Sequence, residues 1–238
     1  MSSPRPYFRQ LLSGRDFATA DPLAQSMANN VYLVGDLDAR ECLIVDPAYA
    51  IDDIIAVAER DEMTITGVLV SHYHADHIGG SMMGHTIEGL STLLESIDVP
   101  LHANKSEVPW ITRTTGIDAA QITAHEGGDE VRIGSFTINL VHTPGHTPGS
   151  QCFHFHGALI SGDTLFLDGC GRTDLPGSDA ELMYHSLQTI AGLPNETIIF
   201  PGHRYSEHPY GDLKTIKQHN HVFRPTSVDQ WMQWFGSN

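Results

Sequence analysis

The sequence predicts an α/β (α+β) fold in which two β-sheets pack together with helices outside them. Three observations carry that prediction. Short apolar strand-like runs alternate with helix-like segments, and the alternation occurs twice along the chain. No Pro/Gly/Ser linker, repeat or low-complexity tract divides the 238 residues, so residues 1–238 read as a single domain. Apolar residues make up 40% of the chain, enough at this length for a substantial core.

The elements follow in order. Val31-Tyr32-Leu33-Val34 and Cys42-Leu43-Ile44-Val45 are buried-strand runs joined by a polar segment at 35–41, which is a hairpin signal. Pro47 stops the second strand. Ile51, Ile54, Ile55 and Ala58 recur at helical spacing and predict an amphipathic helix over 51–60. The run ITGVLVS at 65–71 is another buried strand. The middle reads as helix over 87–97, strand over 100–102 and helix over 106–114. Strands resume at 131–133, 136–141, 151–155 and 158–161. Ser178 and Glu181 read as a capping box for a helix bearing Leu182, Leu187 and Ile190. Thr197-Ile198-Ile199-Phe200 is a last buried strand, closed by Pro201-Gly202. Ser227 with Gln230 caps a short terminal helix whose Trp231, Trp234 and Phe235 read as core packing.

Charge narrows the function. The chain has 13 Lys and Arg against 29 Asp and Glu, a formal charge of −16, together with 15 His. Such acidity argues against a general nucleic-acid binder, which needs a basic footprint. No run reaches the roughly 18–20 apolar residues of a membrane span, and the start, Met1-Ser2-Ser3-Pro4-Arg5, does not lead into an apolar signal core. The expectation is a cytoplasmic protein with no membrane partner. Cys42, Cys152 and Cys170 are odd in number and widely spaced, which fits reduced thiols. Oligomeric state has no signal, and a homodimer is left open.

The strongest chemical signal is Ser71-His72-Tyr73-His74-Ala75-Asp76-His77, directly after a buried strand. His72 and His74 can face one metal, and Asp76 and His77 can turn toward a second. Neutral imidazole and carboxylate suit zinc, iron or manganese. Three weaker signals follow other strands: His146 between two Pro-Gly turns in Thr143-Pro144-Gly145-His146-Thr147-Pro148-Gly149, Asp163 in Ser161-Gly162-Asp163-Thr164, and His203 after Pro201-Gly202. Residues at successive strand ends converge on one edge of a sheet, where active sites form. His142 reads as structural or exposed. His154 and His156 read as sharing one strand face without a third ligand near in sequence.

In SHYHADH (71–77), TPGHTPGS (143–150), SGDTLF (161–166) and PGH (201–203), in that order, the sequence resembles the metallo-β-lactamase superfamily. The resemblance implies a four-layer αββα sandwich, here with a helical insertion around 81–118. It implies that His72, His74 and His146 bind a first divalent ion, that Asp76, His77 and His203 bind a second, and that Asp163 bridges them. Zinc is the first choice, with iron or manganese as alternatives. Two ions sharing a carboxylate and a water lower the water's pKa, and the resulting hydroxide attacks a carbonyl carbon or phosphorus. Asp76 could orient that hydroxide and accept its proton, so Asp76 and Asp163 are the catalytic candidates. No Ser/His/Asp set is evident.

Two branches of the superfamily stand out. Glyoxalase II (hydroxyacylglutathione hydrolase) shares SGDTLF followed by Gly169-Cys170-Gly171. Its glutathione-binding Lys corresponds to Arg172, whose fork could hold a carboxylate. Its following Tyr corresponds to Asp174, a departure, and only 35 residues follow His203. The persulfide dioxygenases match in Tyr7-Phe8-Arg9-Gln10-Leu11, which looks like their first strand, and in GCGRTD at 169–174; they bind one iron through positions matching His72, His146 and Asp163. The reading is a metal-dependent hydrolase of a small anionic thioester or ester, with Arg172 as the substrate contact. A mononuclear iron persulfide dioxygenase and a lactone hydrolase are the rivals, and a di-iron redox scaffold is the non-enzymatic one. Met83 or Trp110 could face substrate from the insertion, against the plainer reading of both as core. Cys170 reads as a structural thiol.

Overall fold

The computed structural model describes residues 5–236, and the start at 1–4, read above for a signal core, lies outside the described residues. Chain order begins with β1 (Pro6–Leu12), α1 (Pro22–Met27), β2 (Asn30–Asp36), β3 (Glu41–Val45), α2 (Ile51–Arg60) and β4 (Thr64–Leu69). A one-turn helix α3 (Ala75–Ile78) leads into the hairpin β5 (Gly80–Met82) and β6 (His85–Ile87), then α4 (Leu90–Ser96), β7 (Leu101–Asn104), α5 (Val108–Thr115) and β8 (Ile122–His125). The first sheet has six strands in the order β1-β2-β3-β4-β7-β8, antiparallel up to β3 and parallel beyond it.

The second half supplies β9 (Glu130–Ile133), β10 (Phe136–His142), β11 (Gln151–Phe155), β12 (Ala158–Gly162), α6 (Ala180–Ala191), β13 (Ile198–Pro201), β14 (Gly211–Asp212), α7 (Leu213–His219) and α8 (Val228–Phe235). Its sheet also has six strands, ordered β14-β13-β12-β11-β10-β9, with only the β12–β13 pair parallel.

The two-residue period of the strands sorts their side chains into layers. From β2 and β3, Tyr32, Val34, Leu43 and Val45 turn toward Phe136, Ile138, Phe153 and Ile160 of the second sheet. Their neighbours Val31, Leu33, Cys42 and Ile44 turn the other way, under Ile51, Ile54 and Ala58 of α2 and Leu93 of α4. On the outer face of the second sheet, Cys152, Leu159 and Ile199 pack beneath Met183 and Leu187 of α6, Ile216 of α7 and Trp231 of α8. The result is helices, sheet, sheet, helices, as expected. Among the described residues no helix is long and apolar enough to cross a membrane.

Four details differ from the sequence reading. The cap of α6 is Asp179, whose Oδ1 accepts from the Leu182 N–H at 2.9 Å, while the Ser178 hydroxyl turns back to the Leu175 carbonyl at 2.6 Å. Met183, Leu187 and Ile190 share one face at i, i+4 and i+7, so Met183 is buried and Leu182 is exposed. The stretch 81–118 holds two helices, but it also holds the β5–β6 hairpin and β7, whose Leu101 and Ala103 alternate into the core between β4 and β8. His156 sits past the end of β11 in a turn with φ +43°, stacked on Phe136, so it does not share a strand face with His154. In α8 Trp231 is core, whereas Trp234 is exposed.

The sheets are tied together at one end, where β4, β10, β12 and β13 finish. Asn29, just before β2, bridges to His203 after β13. The Gln151 N–H donates to the Ser71 carbonyl at 3.0 Å, and its side-chain amide donates to the Val70 carbonyl at 2.8 Å.

Candidate metal centre

That tied edge collects the predicted side chains. β4 runs out into Ser71 and His72, and the one-turn helix α3 begins right after His74, so Asp76 and His77 swing back toward the strand end. The loop between β10 and β11 brings His146, the end of β12 brings Asp163, and the end of β13 brings His203. His72, His74 and His146 form one trio, and Asp76, His77 and His203 form another; within each trio the donor atoms lie within 4.8 Å of one another. Asp163 lies between them, with Oδ2 at 3.7 Å from His146 Nε2 and 3.3 Å from His203 Nε2. Two glycines make room for it. A Cβ on Gly202 would stand 2.3 Å from Asp163 Oδ1, and one on Gly171 would stand 2.1 Å from its carbonyl oxygen.

Four of the five imidazoles are turned by a bond behind them. His203 Nδ1 donates to the Met27 carbonyl and His146 Nδ1 to the Arg172 carbonyl, both at 2.8 Å. His77 Nδ1 donates to Asp46 Oδ2 at 3.2 Å. The Ser71 hydroxyl gives its hydrogen to Asp46 at 2.5 Å, so His72 Nδ1 donates to Ser71 Oγ at 2.9 Å. Four Nε2 atoms are thereby left as lone-pair donors facing inward, which is how supporting residues fix metal-binding tautomers. A third trio, Asp46, His72 and His77, also falls within ligand distance. Its carboxylate is already engaged by the Ser71 N–H and hydroxyl and by His77, so Asp46 acts from behind the donors.

Electrostatics agree with a cation site. Burial holds His72 well below the usual imidazole range, lowers His146, and with His146 alongside pushes His74 down to about 4, so these rings are neutral near pH 7. Burial alone would raise the Asp76 and Asp163 carboxyls, but the imidazoles of His77 and His203 outweigh it and keep both ionised. For His77 and His203 burial pulls downward, and the carboxylates of Asp163 and Asp76 overcome it. A pocket that raises proton affinity in this way is one that favours positive charge. Buried His72 Nε2 and Asp163 Oδ1 have no hydrogen-bond partner, an expensive state for polar atoms unless a ligand completes them. Neutral imidazoles and ionised carboxylates are the forms that bind metal, so an ion would take the place of the proton that the carboxylates favour at His77 and His203. The residues present therefore fit a metal site.

The donors open into a cleft of about 730 Å³, reached by His74, Asp76, His146, Asp163 and His203. Residues 26–203 match the family described as the metallo-beta-lactamase superfamily. The chain belongs to the metallo-β-lactamase superfamily. It is 32% identical over 203 residues to the hydroxyacylglutathione hydrolase of Rhodospirillum rubrum, covering 84% of this chain and 72% of that protein. It is 33% identical over 213 residues to the mitochondrial persulfide dioxygenase ETHE1 of Homo sapiens, covering 83% and 74%. The crystal structure of ETHE1 from Myxococcus xanthus is similar with a TM-score of 0.78 at 27% identity, over 97% of this chain and 90% of that one. Such relatives support an enzyme for this superfamily member.

All seven donor positions singled out in the sequence meet at this metallo-β-lactamase site. Arg172 reaches the cleft, but its guanidinium is engaged by Asp174, with Nε at 2.8 Å and Nη2 at 2.5 Å. Cys170 also lines the cleft, and burial pushes its thiol up to about 12, so it is no nucleophile near neutral pH. Met83 lines the cleft from the β5–β6 turn. Trp110 instead stacks on Tyr73, with ring centroids 4.8 Å apart.

Sequence reasoning missed the supporting groups. Asp46 was one, and Asn29, whose amide donates to Asp76 Oδ2 at 3.1 Å, was another. Glu107 was a third. Fully buried at the start of α5, its Oε1 accepts from the Thr147 hydroxyl at 2.5 Å and the Gly149 N–H at 2.6 Å, bracketing the His146 loop. Burial raises the Glu107 carboxyl to about 7 against the pull of those donors. An Asp after a strand, as Asp46 is, was the one available signal.

Proposed function

We propose that this chain is a metal-dependent hydrolase of a small thioester or ester. The observation that carries the reading is the pair of donor trios flanking Asp163 at the base of an open cleft. His72, His74 and His146 would hold one divalent ion, Asp76, His77 and His203 a second, and Asp163 both; zinc suits the imidazole-rich set. When bound, such ions acidify water and polarise an acyl carbonyl. Asp76, kept ionised among imidazoles, would orient the attacking water and take up its proton. The new acyl C–O bond replaces the C–S or C–O bond of the substrate, and the proton held at Asp76 goes to the departing thiolate or alkoxide. Asn29, donating to Asp76 Oδ2, fixes that carboxylate in place.

A second reading, a mononuclear iron persulfide dioxygenase using His72, His146 and Asp163, is favoured by the likeness to ETHE1 along almost the whole chain. Metal analysis paired with an oxygen electrode separates the two. About two metals per chain, thioester hydrolysis and no oxygen uptake on glutathione persulfide support the hydrolase. A single iron with oxygen uptake rejects it.

A further inference from the structure

The walls of the cleft bear on the substrate, an inference that rests on the hydrolase reading. The donors serve the reacting carbonyl, and the walls must hold whatever flanks it. Tyr73, Met82, Phe166, Leu175 and Tyr205 line them. Met83 and Tyr205 belong to the lining yet are 81% and 57% exposed, so apolar surface is presented to water at the rim. Among the lining residues Arg172 is the one Lys or Arg, and Asp174 grips it with both carboxylate oxygens. Asp168, also lining, adds an acid, 3.4 Å from His221 Nδ1.

A substrate carboxylate entering this cleft meets apolar wall, an acid and a guanidinium already matched. Taking a charge out of water without a partner is costly. Apolar and aromatic surface gains by leaving water, and thioether side chains adapt to varied shapes. We infer that the cleft takes an uncharged ester or thioester with an apolar or aromatic acyl group, and discriminates against the carboxylates of a glutathione conjugate. The Asp174 grip on Arg172 is part of that selection, since it occupies the fork that would otherwise bind a carboxylate.

The test uses metal-loaded protein and two non-hydrolysable probes, S-(4-phenylbutyl)glutathione and neutral 4-phenylbutyl 2-hydroxyethyl thioether, titrated calorimetrically. The neutral probe should bind about tenfold more tightly or better. Asp174→Asn should strengthen the glutathione probe by about threefold and leave the neutral one unchanged, because it frees Arg172. Equal or tighter binding of the glutathione probe to the wild type overturns the inference, and so does an Asp174→Asn variant that binds both probes as the wild type does. Turnover of the matching 4-phenylbutanoyl thioesters, of glutathione and of 2-mercaptoethanol, is measured beside it. Preferential binding of the neutral probe with neither thioester hydrolysed leaves the selectivity standing and removes the hydrolase reading. Hydrolysis of both with the glutathione thioester preferred does the reverse.

Discussion

The floor of the cleft and its rim are built on opposite principles. On the floor, His72, His77, His146 and His203 are buried and each has a hydrogen bond behind it. On the rim, Met83, Tyr205 and Arg172 are exposed, and Met83 rides a hairpin turn with φ +52°. The floor fixes atoms to within a hydrogen bond, as charge-based chemistry requires. The rim offers adaptable surface that can vary without disturbing the floor. Under the proposed function, the floor would set the reaction type and the rim the choice of substrate.

The contrast is broken most severely by removing a donor. His146→Ala should lose metal and, with it, several kcal/mol of transition-state stabilisation, on the order of a thousandfold in rate; metal content and kcat check it. His203→Ala should be as damaging for the dinuclear hydrolase, and a fully active His203→Ala protein would favour the mononuclear alternative. Next is the layer behind the donors. Asp46→Ala removes the acceptor that orients His77 and anchors Ser71, so metal affinity should drop about 10- to 100-fold in a competition titration with a chelator. An unchanged affinity would mean the back bonds do not organise the floor.

Glu107 tests how far the floor's rigidity extends. Glu107→Ala strands the Gly149 N–H and leaves the Thr147 hydroxyl with Ser150 Oγ alone, and should cost about 1–3 kcal/mol in unfolding free energy, with weaker metal retention. Glu107→Gln keeps an acceptor oxygen and should recover most of that loss. Smallest of all, Met83→Ala should leave stability within about 0.5 kcal/mol, while changing KM for apolar substrates and not kcat. A change in kcat or metal content there would erase the division between floor and rim.

What was legible in the sequence follows the same division. The SHYHADH run keeps four donors within six positions, so local pattern alone exposes it. His146, Asp163 and His203 were legible because each follows a buried strand at a turn that has to bring the chain to the sheet edge. Asn29 and Glu107 were not, because their partners lie 40 to 47 residues away and nothing local marks a side chain that will meet them, while Asp46 offered only its place after a strand. The layered fold was legible from strand periodicity. β8 was not, since only Ile122 of its four residues is buried, and a short edge strand with exposed Thr123 and Ala124 lacks the apolar alternation that betrays a strand. At α6 two adjacent residues could each cap, and only the packing of Met183 decides between Ser178 and Asp179.

Both trios draw on both sheets. His72, His74, Asp76 and His77 follow a strand of the first, whereas His146 and His203 follow strands of the second. An ion in either trio would therefore act as a rivet between the two halves of the chain, a cross-link that exists only once they have docked. Metal would then shape the folding equilibrium as well as the chemistry. Bound ions stabilise the docked state by mass action, so the melting temperature should climb with free metal concentration and fall on chelation.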